Sequence, residues 1–163
     1  MLRFSKKVEY ALISLMHMGQ QSNGDLTTSR ELARAFNIPQ EVIGKVLQSL
    51  AKKGYITSVQ GVKGGYQLSD ALTGISLSGV IEAVDGPVRV VGCLDGGREC
   101  GCDQADYCNI RHSMETIQSR LHEFLGAISL ADLRDRRFPM WQIPPRAGAT
   151  PAKTLDKLPA SSG

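Results

Sequence analysis

Four cysteines fall within sixteen residues of this 163-residue chain, and the other 147 residues contain none. They are Cys93, Cys100, Cys102 and Cys108, in the run CLDGGRECGCDQADYC. Thiolates are soft ligands that suit iron–sulfur clusters and zinc. Structural cysteines scatter through a core, so the confinement of every thiol to one segment rich in Gly and Asp predicts an inorganic or redox site.

The cysteine spacing alone does not choose between these chemistries. Structural zinc sites generally use C-x2–4-C pairs, and this segment has none. The ferredoxin spacings are also missing. No apolar run reaches the roughly 18 residues of a membrane span, and no signal peptide is evident, so we expect a cytoplasmic protein. In a reducing compartment, clustered cysteines favour metal binding or thiol redox chemistry over a structural disulfide.

The first seventy residues predict the elements that would position such a site. Helical spacing of apolar residues indicates helices over 6–20, 30–36 and 39–53, with caps among Thr27, Thr28 and Ser29 before the second. Residues 55–59 and 66–68 predict two short strands. Between them GVKGG forms a hairpin tip. Three helices followed by a hairpin predict a winged helix-turn-helix, in a fold that is mainly α with a small β-wing.

A winged helix-turn-helix implies a DNA interface. Residues 1–70 carry nine Lys or Arg against five acids, which suits a polyanion partner. The third helix would enter the major groove, with Val42, Val46, Leu47 and Leu50 on its inner face, and the wing would lie along phosphates. The expected DNA-contacting residues are Arg3, Ser29, Pro39, Gln40, Glu41, Lys45, Gln48, Lys52, Lys63 and Gly64. Alternatively, the basic residues form only a solvated helix face.

A long helix is predicted after the cysteine segment. Ser76, Leu77 and Ser78 cap a short helix, residues 88–91 resemble a strand, and a helix over 109–128 follows. Its apolar residues alternate spacings of four and three, which is a heptad seam that a second subunit would cover. The seam residues are Ile110, Met114, Ile117, Leu121, Phe124 and Ile128. The alternative is a core helix that packs on helix one of the same chain.

The chain resembles the winged-helix iron–sulfur transcription regulators typified by IscR and NsrR. The resemblance covers about residues 1–135 and rests on LRFSKKVEYAL, on NIPQEVIGKVLQSLAKKGYITSVQGVKGGYQL, on ISLSGVIEAVDGP and on three cysteines ahead of the long helix. It implies a homodimer in which each subunit presents one winged helix to half of a near-palindromic operator in double-stranded DNA.

The resemblance also implies three cysteine ligands. Cys93, Cys102 and Cys108 match the family's cysteines, although the gap between the first two is longer than usual. Cys100 could instead be the second ligand, but we favour Cys102 in that place, which leaves Cys100 as a spare thiol or a fourth ligand. The implied cofactor is an iron–sulfur cluster, with [2Fe–2S] favoured over [4Fe–4S].

The fourth ligand departs from the IscR pattern. The IscR type has a histidine three residues after the last cysteine, where this chain has Arg111, and His112 follows one position later. One residue is about 100° of helix turn, so His112 would point elsewhere. The NsrR type uses an acid of helix one from the partner subunit, and Glu9 stands at the matching position. Glu9, Cys100 and His112 are the candidates.

The patterns divide the chain into four segments. Residues 1–86 form the DNA-binding domain, 87–108 the cluster-binding loop, 109–136 the dimerisation region and 137–163 a disordered tail. We expect a non-enzymatic regulator that senses iron–sulfur, redox or nitric-oxide status and controls cluster-assembly or stress genes. The alternatives are a cluster-free or zinc-binding winged-helix regulator that responds to a small molecule or to thiol oxidation, and an electron-transfer or thiol enzyme.

Overall fold

Six helices and one small sheet make up the described part of the chain. The computed structural model describes residues 3–21, 25–94 and 102–137. The helices are α1 (Lys6–Met18), α2 (Ser29–Ala35), α3 (Gln40–Lys52), α4 (Leu77–Val84), α5 (Arg111–Ala127) and α6 (Leu130–Asp135), and the strands are β1 (Ile56–Val59) and β2 (Gly65–Leu68). The predicted fold class, mainly α with a winged helix-turn-helix and a long helix, is confirmed. None of the described helices is long and apolar enough to cross a membrane.

Side-chain caps set where α1 and α2 begin. The Ser5 hydroxyl accepts a hydrogen bond from the amide of Val8 at the start of α1. At α2, Thr28 and Glu31 form a capping box in which each side chain accepts the other's backbone N–H. Of the three cap candidates, Thr28 is therefore the cap. Thr27 instead pairs with Tyr66 of β2.

The helix α3 is bounded by two residues with fixed backbone preferences. Pro39 is its N-cap, and Gly54 follows its C-cap with φ of 81°, a conformation that glycine adopts at little cost. The buried face differs from the prediction, because Ile43 is buried and Val42 is only half-buried. The buried residues follow i, i+3, i+4, i+7 spacing and are Ile43, Val46, Leu47 and Leu50.

One apolar cluster unites the winged helix. It draws on α1, α2, α3, β1, α4 and α6, and its fully buried members include Leu15, Leu32, Leu47 and Leu130. Full burial of each such side chain contributes about 1.5–3 kcal/mol. The α6 helix falls within the predicted dimerisation region, yet it shares the core of the DNA-binding unit.

A second cluster fixes the end of α5 and corrects one seam residue. Ile128 is only 3% exposed and packs with Val8, Leu77 and Leu125. The α5 helix stops at Ala127, and Ile128 has extended backbone, so the heptad spacing cannot continue to it. Ile128 therefore belongs to the core of its own chain, and the predicted seam ends before it.

The chain returns after α5 to a point beside the start of α4. The amide of Leu77 donates to the carbonyl of Ile128 at 2.8 Å, and the amide of Leu130 donates to the carbonyl of Ile75 at 2.9 Å. Ser76 and Ser129 form an antiparallel bridge between these contacts. The start of α4 and the start of α6 are thereby held side by side.

The predicted strand over residues 88–91 is wrong. Within the described part of the chain these residues have no strand pairing, and a side chain of α5 binds their backbone instead. The amide of Val90 donates to Oε1 of Gln118 at 2.7 Å, and Nε2 of Gln118 donates to the carbonyl of Val88. The β-branched residues predicted a strand, but a helix rather than another strand lies beside them.

Candidate DNA interface and cysteine site

The outer face of α3 carries the polar side chains expected to meet DNA. Five of the predicted residues are exposed there: Pro39, Gln40, Glu41, Lys45 and Gln48, with Lys52 exposed at the end of the helix. Nζ of Lys45 lies 2.9 Å from Glu41, and this hydrogen bond lowers the pKa of the Glu41 carboxyl. Both partners are well exposed, so the pair is easily exchanged for contacts with a phosphate or a base.

The wing is a tight hairpin whose tip is basic. Because Val59 pairs with Gly65, residues 60–64 form the connection between β1 and β2. The amide of Gly64 donates to the carbonyl of Gly61 at 2.9 Å, and Gly61 has φ of 134°. Lys63 is exposed at this tip.

Two of the predicted DNA contacts meet in one cleft, and a third lies elsewhere. Ser29 and Gly64 both line the cleft between the start of α2 and the wing. Arg3 instead lines a cleft beside Asp85 and Leu121, between the arm before α1 and α5. The structure therefore places Arg3 next to the long helix rather than in the cleft beside the wing.

Gly44 lies inside α3 and offers a test of this helix and of the residue at which it ends. A Cβ at this position would meet no atom within 4 Å, so Gly44→Ala is expected to raise the free energy of unfolding by about 1 kcal/mol. Thermal or urea denaturation measures this change. Gly54→Ala is the matched control, because its surroundings are equally open but its φ of 81° penalises a side chain, and it should destabilise the protein. Stabilisation by both substitutions would contradict the helix boundary.

Three of the four cysteines lie in the described residues. Cys93 belongs to the 3-10 turn Gly92–Leu94, and Cys108 follows the 3-10 turn Ala105–Tyr107, three residues before α5. The Cys102 thiol lies 3.6 Å from Oε1 of Gln104. All three are free thiols and half-buried. Cys100 lies outside the described residues.

The three thiols fit an iron–sulfur cluster in their chemistry but are not gathered as a complete ligand set. Free, partly accessible thiols are the soft donors that a cluster requires. Within residues 3–21, 25–94 and 102–137, no three His, Cys, Asp or Glu side chains stand close enough to hold one metal ion. A complete set would need Cys100, a rearrangement of the segment or a ligand from a second subunit.

The candidates for a fourth ligand lie in different surroundings. Glu9 on α1 is paired with Lys6 at 2.6 Å and is half exposed. The His112 side chain is 97% exposed, and its Nδ1 lies 3.6 Å from Glu115. Arg111, at the position of the IscR-type histidine, pairs with the same glutamate at 3.4 Å. Glu9 and His112 are therefore both accessible, and neither is committed to the core.

One side of α5 presents a shallow groove that is almost wholly apolar. Its lining comprises Thr116, Ile117, Arg120, Leu121 and Phe124. Ile110 and Ile117 are 53% and 47% exposed, which is unusual for large aliphatic residues. The predicted seam residues from Ile110 to Phe124 thus follow one incompletely covered face. The alternative, packing inside the chain, holds for the second half of α5, where Leu125 is buried and Leu121 and Phe124 pack in part against the second apolar cluster.

Sequence reasoning missed a polar connection between the wing and α5. The hydroxyl of Tyr55, just before β1, lies over Gly79 of α4, where any side chain would collide with it. Burial raises the pKa of Tyr55, and the nearby charge of Glu82 adds to the effect. Glu82 in turn lies 3.7 Å from His122 of α5. The missing side chain of Gly79 was the only signal of this contact in the sequence.

The wing tip also carries an unpredicted residue. Val62 is fully exposed between Gly61 and Lys63. An apolar side chain held at a hairpin tip can enter a groove between two phosphate backbones. Its place within the glycine-rich turn was the available signal.

A winged helix with a basic wing and an exposed polar α3 defines the class of protein, a helix-turn-helix transcription regulator. Residues 4–136 match the Rrf2 family, described as iron-dependent transcriptional regulators. The chain belongs to the Rrf2 family. Its relatives are regulators rather than enzymes, and the resemblance to winged-helix regulators is confirmed.

Similar proteins and solved structures agree with this assignment. A putative HTH-type transcriptional regulator of Azotobacter vinelandii is 30% identical over 81% of this chain and 79% of its own length. The regulator NsrR of Geobacillus kaustophilus is 27% identical, with coverage of 83% and 92%. The structure of CymR, the global cysteine regulator of B. subtilis, superposes with a TM-score of 0.64 at 22% identity, with coverage of 83% and 98%. The structure of T. potens IscR gives a TM-score of 0.62 at 19% identity, with coverage of 83% and 88%.

Proposed function

We propose that this Rrf2 regulator binds a near-palindromic operator as a homodimer and senses iron–sulfur, redox or nitric-oxide status through a cluster on its cysteine segment. The observation that carries the proposal is the position of the thiols. In the sequence all four lie between the winged helix and the apolar groove of α5, and Cys93, Cys102 and Cys108 are free thiols in the described residues. A change at that segment can therefore reach both the subunit contact and the DNA-binding unit.

Cys93, Cys102 and Cys108 are the proposed cysteine ligands, and Glu9 of the partner subunit is the preferred fourth. A carboxylate is a harder and more exchangeable ligand than a thiolate. The exposed pair between Glu9 and Lys6 is weakly held, so the carboxylate can leave it. When bound, the cluster supplies a dissociable and redox-active iron centre.

The state of the cysteines would reach the DNA-binding unit through a change in the position of α5. While the three cysteines are held together, the segment before α5 is short and fixed at both ends. When they are released, α5 and its groove gain freedom, and the distance between the two α3 helices changes. Half-sites lie about one helical turn apart on DNA, so a small change in this distance weakens binding strongly.

The proposed dimer uses the groove of α5 as its contact. A second copy of the chain would place its own Ile117 and Phe124 against the same residues, as a two-fold interface requires. The apolar character of the groove suits a permanent contact. The proposed DNA contacts are the exposed residues of α3 together with Lys63 and the cleft at Ser29 and Gly64.

Anaerobic purification with iron and sulfide analysis tests the proposal. The wild-type protein is expected to carry iron with visible absorbance, and Cys102→Ala and Cys108→Ala are expected to lose both. Cys100→Ala is the matched control from the same segment and should retain the iron. Glu9→Ala and His112→Ala, compared by EPR, assign the fourth ligand, and EPR also separates [2Fe–2S] from [4Fe–4S].

Two outcomes would reject the proposal in favour of its alternatives. Wild-type protein with one zinc per subunit and no iron would support a zinc-binding regulator. Equal operator affinity with and without iron would support a cluster-free regulator that responds to a small molecule or to thiol oxidation. This second candidate is favoured by one observation, which is that no three donors are gathered within the described residues.

A further inference from the structure

Gln118 joins α5 to the backbone of the segment that leads into the cysteines. Its side chain forms two hydrogen bonds there, accepting from the amide of Val90 at 2.7 Å and donating to the carbonyl of Val88. A carboxamide has a donor and an acceptor side by side, so it can bind a backbone carbonyl and a backbone N–H two residues apart. The two bonds therefore fix both the position and the direction of this segment.

The two bonds supply what a neighbouring strand would otherwise supply. Residues 88–90 have no strand partner among the described residues, and an unpaired backbone group that is partly withdrawn from water is costly. Val88 also packs against the second apolar cluster, which holds the same segment from its other side. Gln118 is half-buried, so its amide is shielded from full competition by water.

The contact between Gln118 and Val90 links the start of the cysteine segment to α5. Val90 stands three residues before Cys93, while Cys108 stands three residues before α5. Gln118 lies two turns into α5, directly after Ile117 of the apolar groove. One side chain thus connects the entry of the cysteine segment to the helix that begins at its exit.

We propose that Gln118 is a positioning residue that holds Cys93 in register with Cys102 and Cys108 and passes the state of the segment to α5. The inference rests on the proposed function in that the segment is the sensor. Without the Gln118 amide, residues 88–90 detach from α5. Cys93 then moves independently of the other two thiols, and the operator response no longer follows the state of the cysteines.

The first experiment uses metal-free, full-length protein. Gln118→Leu keeps the size of the side chain but removes both hydrogen bonds. Gln118→Glu keeps the acceptor for Val90 but places a carboxylate against the carbonyl of Val88. Ser119→Ala is the control, because Ser119 is exposed and its hydroxyl donates to the side chain of Glu123 on the same helix.

Gln118→Leu is expected to speed hydrogen exchange at the Val90 amide about tenfold. It should also raise the rate of alkylation of Cys93 relative to Cys108. Gln118→Glu should give an intermediate effect, and Ser119→Ala should match wild type. Unchanged Val90 exchange and an unchanged Cys93 to Cys108 ratio in Gln118→Leu would overturn the inference. If Gln118→Leu unfolds the protein, hydrogen exchange in α3 will also be faster. The inference is then tested by Val90 exchange and by the Cys93 to Cys108 alkylation ratio in Gln118→Glu.

The second experiment compares operator affinity with and without iron. In wild type the two affinities are expected to differ, and in Gln118→Leu their ratio should fall towards one. A wild-type ratio of one rejects the proposed sensing function but leaves the exchange and alkylation results standing. A wild-type ratio that persists fully in Gln118→Leu rejects the role of Gln118 alone.

Discussion

Ile117→Lys is expected to convert the protein to monomers and to lower operator affinity at least about a hundredfold, because two linked half-site contacts become one. Ile117 is 47% exposed in the isolated chain and lines the apolar groove of α5 with Leu121 and Phe124. In a two-fold dimer each subunit would bury one unpaired ammonium, which costs several kcal/mol. Arg120 in the same groove adds repulsion. Size-exclusion chromatography with light scattering measures the subunit number.

Ser119→Lys is the matched control for this prediction. Ser119 lies about 200° around the helix from Ile117, and it is exposed between Glu115 and Glu123. Both variants add one positive charge, which favours DNA, so weaker binding by Ile117→Lys alone cannot come from repulsion by phosphates. A dimeric Ile117→Lys variant with normal operator affinity would show that another surface forms the subunit contact.

Gly64→Ala is expected to reduce operator affinity about tenfold to a hundredfold through the wing, since phosphate contacts supply much of the affinity. A Cβ on Gly64 would lie 2.5 Å from the carbonyl oxygen of Val59 and 2.9 Å from that of Gly61. Both atoms belong to the backbone, so the hairpin must open and Lys63 must move. The fold should also lose about 1–3 kcal/mol, because the strain is local to the turn. Fluorescence anisotropy with operator DNA, paired with thermal denaturation, separates these two effects.

Two further wing variants make the result interpretable. Val62→Ala changes the exposed tip without touching the turn, so any loss it shows reports a direct contact of that side chain. Lys63→Ala should weaken binding on all sequences and lower the slope of log affinity against log salt by about one. A Gly64→Ala protein that binds as well as wild type, with an unchanged salt slope, would exclude the wing from the interface.

The DNA-binding half could be predicted from local signals. In α3 the apolar spacing, Pro39 and Gly54 each act over a few residues, so the bounds were found to within one residue. The hairpin was evident from its glycines for the same reason. Even there, Ile43 replaced Val42 on the buried face, because neighbouring positions differ by only about 100° and the packing partner decides between them.

Long-range contacts could not be predicted in the same way. Ile128 fits a heptad spacing, but α5 ends one residue earlier and the return of the chain to α4 buries it. Three of the four residues 88–91 are β-branched, and yet Val90 binds the side-chain amide of Gln118, which lies 28 residues further along in a helix. For the cysteine site, the sequence predicted the types and order of the ligands. The distances between the cysteine side chains depend on long-range contacts, which sequence spacing does not predict.

The bridge between Ser76 and Ser129 has a consequence for how such a regulator can be altered. Because the chain returns at Ser129 to a point beside Ser76, α4, the cysteine segment and α5 form one excursion with adjacent ends. An insertion of this kind is tolerated as a unit when its ends are close together. A different sensory element could replace residues 77–128, provided that it supplied apolar contacts equivalent to those of Val80 in the main core and of Leu125 with Val8. The DNA-binding unit and the sensory element would then be exchangeable parts, joined at the bridge between Ser76 and Ser129.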